Sequence, residues 1–447
     1  FAKKLLFLER LIKMFRIDEL IVYREYEQEQ DQVLNDMAFI VEETETMGMP
    51  VSDLRGLYFS CIHKLTELAG TYGFEGNLWH SYLTWLLVNN ENVFSHASEI
   101  RGEDGSINAL VEHDYEIFRE LYALNFEALE EKLGAHCFFM IADYVNAPQS
   151  SKVFNERIRD RICELSEKLA GAKDVHEFKE DMTSFYKDFG VGKLGLHKAF
   201  RVAHDEDGVQ IVPITKIAHV HLDDLVGYEL AKKKLIENTE AFVQGRKANN
   251  CLLFGDAGTG KSSSIKGILN EYYDQGLRII EVYKHQFQDL NDVIAQVKNR
   301  NYRFIIYMDD SFEEFEIEYK YLKAVIEGGL ERKPENVLIY ATSNRRHLIR
   351  EKFSDKEERR DDLHTSDTVQ EKLSLAYRFG LKIYFGSPSK KEFQNIVRVL
   401  ADKHGITMSE EELFLKANQW ELQYGGLSGR TAQQFIDHLL GQERKDV

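Results

Sequence analysis

Gly255-Asp256-Ala257-Gly258-Thr259-Gly260-Lys261-Ser262 is the stretch on which the reading of this chain turns. It matches the pattern GxxxxGK[ST]. Glycines let successive backbone N–H groups turn inward on one anion, and the N-terminus of the next helix adds the positive end of its dipole. Lys261 would then reach the β- and γ-phosphates of a nucleotide, and the Ser262 hydroxyl would ligate Mg²⁺. The flanks agree with this. The apolar run Cys251-Leu252-Leu253-Phe254 comes before the loop, and the helix-compatible run Ser263–Tyr273 comes after it.

A phosphate loop needs an acid to hold the metal at the end of a nearby strand. Phe304-Ile305-Ile306-Tyr307-Met308 is apolar and ends in Asp309-Asp310. Asp309 is expected to hold Mg²⁺ through water, and Asp310 to polarise the attacking water. A further apolar run, Val337–Ala341, ends in Thr342-Ser343-Asn344. Asn344 at that strand end can touch the γ-phosphate and orient water. Arg378 precedes Phe379-Gly380 and the run Leu381–Phe385. An arginine there can enter a neighbouring subunit's nucleotide site and stabilise charge on the transferring phosphoryl group. Arg430, after Gly425-Gly426-Leu427-Ser428-Gly429, can fold over the γ-phosphate, with Arg345 and Arg346 as lesser alternatives for either role.

Around the loop the pattern alternates. Arg278–Val282 is a further strand-like run, which makes five with those above, and helical segments lie between most of them. Strand, helix, strand in repetition predicts a five-stranded parallel sheet covered on both faces. After Pro388 three helices are expected, over Lys390–His404, Glu410–Tyr424 and Arg430–Gln442.

Upstream, Leu194–Val202 and Val209–Ile214 flank Asp205-Glu206-Asp207-Gly208 and predict a β-hairpin that acts as a connector. Residues 1–189 read as an all-helical domain. Leu5, Leu8, Ile12 and Phe15 recur at helical steps, as do Val111, Tyr115, Phe118 and Tyr122. The aromatics Phe74, Trp79, Tyr82 and Trp85 are expected to be its core. The domains are therefore 1–189, the connector 190–220, an α/β core 221–387 and a helical C-terminal part 388–447.

Composition bounds the function. The 447 residues carry a net charge of −18. Residues 1–200 hold 21 basic and 35 acidic side chains, so the acidity sits in the helical part. That argues against a protein whose main work is coating nucleic acid. Four scattered cysteines, with no CxxC pair, suit reduced thiols. His219 and His221, or His136 and Cys137, lack further ligands at zinc spacing, so no zinc site is expected. No apolar stretch approaches the roughly 18 residues of a membrane span. The N-terminal run lacks the apolar core of a signal peptide. The expectation is a soluble, cytoplasmic protein with no membrane partner. The charge-rich segment Lys352–Asp367 reads as a solvated loop.

Taken together, these motifs resemble the AAA+ ATPase superfamily of P-loop NTPases, over about residues 220–442. The segments YATSNRRHL, EKLSLAYRFGL and GLSGRTAQQF look like a bacterial AAA+ family classed as a domain of unknown function. The resemblance implies that Val226, Gly227 and Tyr228 pack near adenine. Gly255, Asp256, Ala257, Gly258, Thr259, Gly260, Lys261, Ser262 and Ser263 would bind the phosphates. Ser262 and Asp309 would serve the metal. The catalytic set would be Asp310, sensor 1 Asn344, the arginine finger Arg378 and sensor 2 Arg430. A helical lid would cover 388–447. ATP and Mg²⁺ are the implied cofactors, and a homo-oligomeric ring, a hexamer by analogy, is the implied assembly. The partner to be remodelled would be a macromolecule, a protein before a nucleic acid, read by the helical domain.

Two departures keep other readings open. Asp310 stands where many of these ATPases have Glu, one methylene longer, so hydrolysis is expected to be slow; Glu313 and Glu314 are weak substitutes. Tyr283-Lys284-His285-Gln286-Phe287 has aromatics but not the aromatic-hydrophobic-Gly tripeptide of protein-threading relatives. A nucleotide-gated scaffold with little turnover and a DNA-handling loader therefore stand beside the ATPase.

Overall fold

In a computed structural model the described residues are 17–24, 32–46, 48–100, 105–146, 156–206, 208–215, 217–218, 220–309, 321–322, 325–326, 334–344 and 378–443. The periodic run from Leu5 to Phe15, His219, Asp310, Glu313, Glu314, Arg345, Arg346 and the segment Lys352–Asp367 lie outside them. The chain divides into two units, Phe1–His197 and Lys198–Val447.

The first unit is helical. Its most enclosed helix is Leu78–Asn89, where ten of twelve residues are buried. A helix that is apolar nearly all round belongs inside a bundle. Asn77 starts it by accepting the backbone N–H of Trp79 and His80. Val111, Tyr115, Phe118 and Tyr122 share the inner face of Ile107–Tyr122 and pack with Trp79, Tyr82 and Phe178 in one core. Each such aromatic contributes about 1.5–3 kcal/mol on burial. The stretch Leu194–Val202 is not extended throughout. Gly192–Leu196 is a short helix, and the strand begins only at Ala199. Gly192, at φ +63, supplies the left-handed turn that starts that helix.

The second unit is built on a sheet. Its strands are β1 (Ala199–Asp205), β2 (Gly208–Pro213), β3 (Cys251–Gly255), β4 (Leu277–Glu281), β5 (Arg303–Met308), β6 (Val337–Ser343) and β7 (Leu381–Phe385), in the order β2-β1-β4-β5-β6-β3-β7. The expected five-stranded parallel sheet is therefore corrected to a mixed sheet of seven. The hairpin does more than connect. β1 lies parallel to β4, with Ala199 opposite Ile279, and β2 lies antiparallel to β1. This covers the edge of β4, which would otherwise present unpaired backbone groups. β3, β5 and β6 are largely apolar because both faces are covered, and all seven residues of β6 are buried.

Helices α1 (Glu229–Val243), α2 (Lys261–Tyr272) and α3 (Leu290–Val297) belong to this unit. At its C-terminal end α4 (Lys390–Lys403), α5 (Glu410–Tyr424) and α6 (Gly429–Glu443) enclose a core of their own around Phe393, Val397, Ala417, Phe435 and Ile436. Ser389 caps α4 reciprocally with Glu392, and Ser409 caps α5. Among the described residues no helix is long and apolar enough to cross a membrane.

Candidate functional site

The loop after β3 takes its shape from glycine. Gly255 sits at φ +136 against the Phe385 carbonyl, where a Cβ would overlap it. The Asp256 N–H donates to that same carbonyl at 3.0 Å. The Asp256 carboxylate accepts the Ser387 N–H at 2.8 Å and its hydroxyl at 3.0 Å, which ties the loop to the end of β7. Gly258 and Gly260 have φ of +75 and +89, and α2 begins at Lys261. A Cβ on Gly258 would press on Ser428 and Arg430. The start of α6 thus lies directly on the loop, and the Arg430 N–H donates to the Gly258 carbonyl at 3.1 Å.

Lys261 is buried, and its Nζ donates to the carbonyls of Gly255 (3.1 Å) and Asp256 (2.6 Å) and to Asn344 Oδ1 (3.0 Å). The ammonium therefore holds the loop and Asn344 together. Ser262 Oγ donates to Asp309 Oδ1 at 3.0 Å, and Thr342 Oγ1 donates to the same oxygen at 2.7 Å. Three elements thus bring a lysine, two hydroxyls, a carboxylate and an amide together. The carboxylate and the Ser262 hydroxyl are hard oxygen donors of the kind Mg²⁺ accepts.

These groups line one end of a 580 Å³ cavity. The other end is largely apolar, with Leu225, Val226, Phe385, Ile396 and Leu400. Tyr228 stands there, and among the described residues it is the one non-glycine with positive φ, at 58°. Such strain costs about 1–3 kcal/mol and clusters at functional sites. Its ring lies 5.6 Å from that of Phe385. Its hydroxyl is buried with no hydrogen-bond partner, and burial, with Glu392 and Asp256 nearby, pushes its pKa up to about 12. It is therefore a neutral donor at physiological pH. Lys232 donates to the Leu225 carbonyl at 2.7 Å and steadies the turn before α1. Asp224 is paired with Lys403 of α4, and that hydrogen bond holds its carboxyl below the ordinary value.

Of the residues singled out from sequence, Val226, Tyr228, Ala257, Gly258, Thr259, Gly260, Lys261, Ser262, Ser263, Asp309, Asn344 and Arg430 line the cavity. Gly227, Gly255 and Asp256 are outside the lining; Gly255 and Asp256 fix the path of the loop against the end of β7. Arg378 stands on the turn before β7, outside the cavity lining. The sequence reading missed Lys232, Thr342, Phe385, Ile396, Leu400 and Gln433. For Thr342 a signal existed, because it lies two residues before Asn344 and so on the same strand face. Ile396 and Leu400 carry only the i, i+4 spacing common to any packed helix.

A family model described as "Protein of unknown function (DUF815)" matches residues 195–443. The Replication factor C large subunit of Staphylothermus marinus is 33% identical over 81 residues, which is 18% of this chain and 18% of that protein's length. A point mutant of Thermotoga maritima RuvB aligns with 47% of this chain and 62% of its own, at 17% identity and a TM-score of 0.34. The Thermotoga maritima RuvB Holliday junction branch migration motor aligns over 49% and 72%, at 14% identity and a TM-score of 0.32. The chain thus spans under a fifth of the curated relative and under two thirds of the first of these structures. The AAA+ resemblance carried by the motifs stands, and because the family model covers more than half of the chain, the chain belongs to the DUF815 family.

Proposed function

We propose that this chain binds ATP with Mg²⁺ in the cavity at the end of β3 and hydrolyses it. The observation that carries the reading is the joint contact of Lys261 with the loop carbonyls and Asn344, beside the Ser262–Asp309 pair. A triphosphate in the loop would take the Lys261 ammonium from the carbonyls of Gly255 and Asp256. The base would enter the apolar end against Val226, Tyr228 and Phe385. Ser262 and Asp309 would hold Mg²⁺, which when bound supplies neutralising charge to the phosphates. Asn344 would fix the γ-phosphate and the attacking water, and Asp310 would take the proton of that water.

Helices α4–α6, with the residues before them from 388, form the lid in this reading. Arg430 heads the helix that rests on Gly258, so a γ-phosphate would bear directly on the start of α6. Residues 221–387 form the ATPase core, and 190–220 form its connector. Arg378 would complete a neighbouring subunit's site, so activity depends on assembly into a ring. The helical domain 1–189 would read a macromolecular partner, a protein more readily than a nucleic acid given the acidity of that half.

The test is steady-state ATP turnover against protein concentration, with Mg²⁺ and a Lys261→Ala control. The expected outcome is specific activity that rises with concentration and vanishes in the control. Equal turnover by the control would sink the reading. The Asp309-Asp310 pair favours one second reading, a nucleotide-gated scaffold. Tight ATP binding with turnover no higher than that of Asp310→Ala would select it.

A further inference from the structure

We infer that Thr342 is a positioning residue for the metal-holding carboxylate of Asp309. The inference rests on the proposed nucleotide site and deepens it.

Strand geometry brings the two residues together. Met308 of β5 pairs with Ala341 of β6. The next step of the same register sets Asp309 beside Thr342. Side chains alternate across a sheet, so Tyr340, Thr342 and Asn344 share a face with Tyr307 and Asp309. That face meets the start of α2, where Lys261 and Ser262 stand. Lys261 takes Asn344 from this row, and Asp309 takes Ser262 and Thr342.

The division of labour on Asp309 is unequal. Ser262 is half-exposed, and its oxygen is the one offered to a metal. Thr342 is fully buried in a strand whose residues are all buried, and its hydroxyl donates at the shorter distance of 2.7 Å. A β-branched side chain in a strand has little χ1 freedom. The Thr342 hydroxyl is therefore a fixed donor, whereas the Ser262 hydroxyl can turn. The Asp309 carboxylate is exposed and needs a rigid partner to keep one orientation toward the cavity. Tyr307, the preceding residue on the same face, lies beside Asp309, Ser262 and Thr342, but its buried hydroxyl makes no well-formed hydrogen bond to them. Partners that orient metal ligands are commonly worth tenfold or more in metal affinity.

The test uses the full chain with a non-hydrolysable ATP analogue and Mn²⁺ as the probe, with bound Mn²⁺ read by electron paramagnetic resonance. Thr342→Val keeps the shape and removes the donor, and Thr342→Ser keeps the donor. Affinity for the analogue in EDTA should be the same in all three proteins. Mn²⁺ affinity of the complex should fall roughly tenfold in Thr342→Val and return in Thr342→Ser. If Thr342→Val does not fold, Thr342→Ala takes its place against Thr342→Ser. Unchanged Mn²⁺ affinity without the hydroxyl overturns the role of Thr342 and leaves the nucleotide site standing. A parallel loss of metal-free analogue affinity does the same, because it shows a loop that has lost its structure. Absence of Mn²⁺ from the wild-type complex overturns both.

Discussion

Asp114 in the helical unit and Asp309 in the sheet unit are both held by donors, but by donors of different kinds. Asp114 is fully buried and accepts the backbone N–H groups of Ile21, Val22 and Tyr23 at 2.7–3.2 Å. Glu130 of the same unit is held in a similar way, by the Tyr58 hydroxyl and the N–H groups of Cys137 and Phe138. Burial works to raise the Glu130 pKa, but these donors outweigh it and hold the carboxyl below its ordinary value. Backbone donors cannot leave without unfolding a turn. Asp309 is exposed at a cavity and is met by the hydroxyls of Ser262 and Thr342, and the Ser262 hydroxyl can rotate toward a ligand. The difference separates a carboxylate that builds a fold from one that, in the proposed site, would meet a metal.

The largest effect should come from removing each of these carboxylates in turn. Asp114→Ala strands the buried Tyr23 N–H and the part-buried N–H groups of Ile21 and Val22, and should cost about 3 kcal/mol of stability. Denaturant unfolding followed by fluorescence reads this, because Trp79 and Trp85 both lie in the helical core. ATP turnover per folded molecule should hardly change. Asp309→Ala should do the reverse, with unfolding within about 1 kcal/mol of wild type, the cost of leaving the Thr342 hydroxyl to water that enters from the cavity. Mg²⁺-dependent turnover should fall about a hundredfold or more, since several kcal/mol of charge stabilisation are at stake. If Asp309→Ala unfolds the sheet unit as badly as Asp114→Ala unfolds the helical one, the contrast is broken.

The same contrast explains what could be read from the sequence. The loop Gly255–Ser262 is eight consecutive residues, and its glycines, lysine and serine stand at the spacing of a phosphate-binding motif. Asp309 is legible because an apolar run stops abruptly at an acid. Both signals are local. The order of the sheet is not, because pairing β1 with β4 joins Ala199 to Ile279 across the whole phosphate loop. No composition rule says that a hairpin will add to that edge. The apolar end of the cavity is gathered from Val226, Phe385, Ile396 and Leu400, which look like any other core residues until the chain folds. Asp114 is equally illegible, because its three donors lie more than ninety positions away.

A smaller effect, of opposite sign in the two units, should come from one repeated substitution. The Tyr23 hydroxyl lies 2.7 Å from that of Tyr115 and 3.0 Å from that of Tyr186, and Tyr186 donates on to the Leu87 carbonyl at 2.6 Å. Tyr23→Phe breaks this closed chain and should cost about 1 kcal/mol. The Tyr307 hydroxyl on β5 is buried beside Asp309, Ser262 and Thr342 without a well-formed hydrogen bond to any of them, and burial, with Asp309 nearby, drives its pKa well up. A stranded hydroxyl carries a desolvation penalty of about 1–3 kcal/mol, part of which returns when it is deleted. Tyr307→Phe should therefore leave the ligand-free protein as stable as wild type or about 1 kcal/mol more stable. Thermal unfolding of both variants without nucleotide or metal gives the comparison. If Tyr307→Phe destabilises as Tyr23→Phe does, the Tyr307 hydroxyl has a partner in solution, and the face beneath Asp309 is as closed as the core around Asp114.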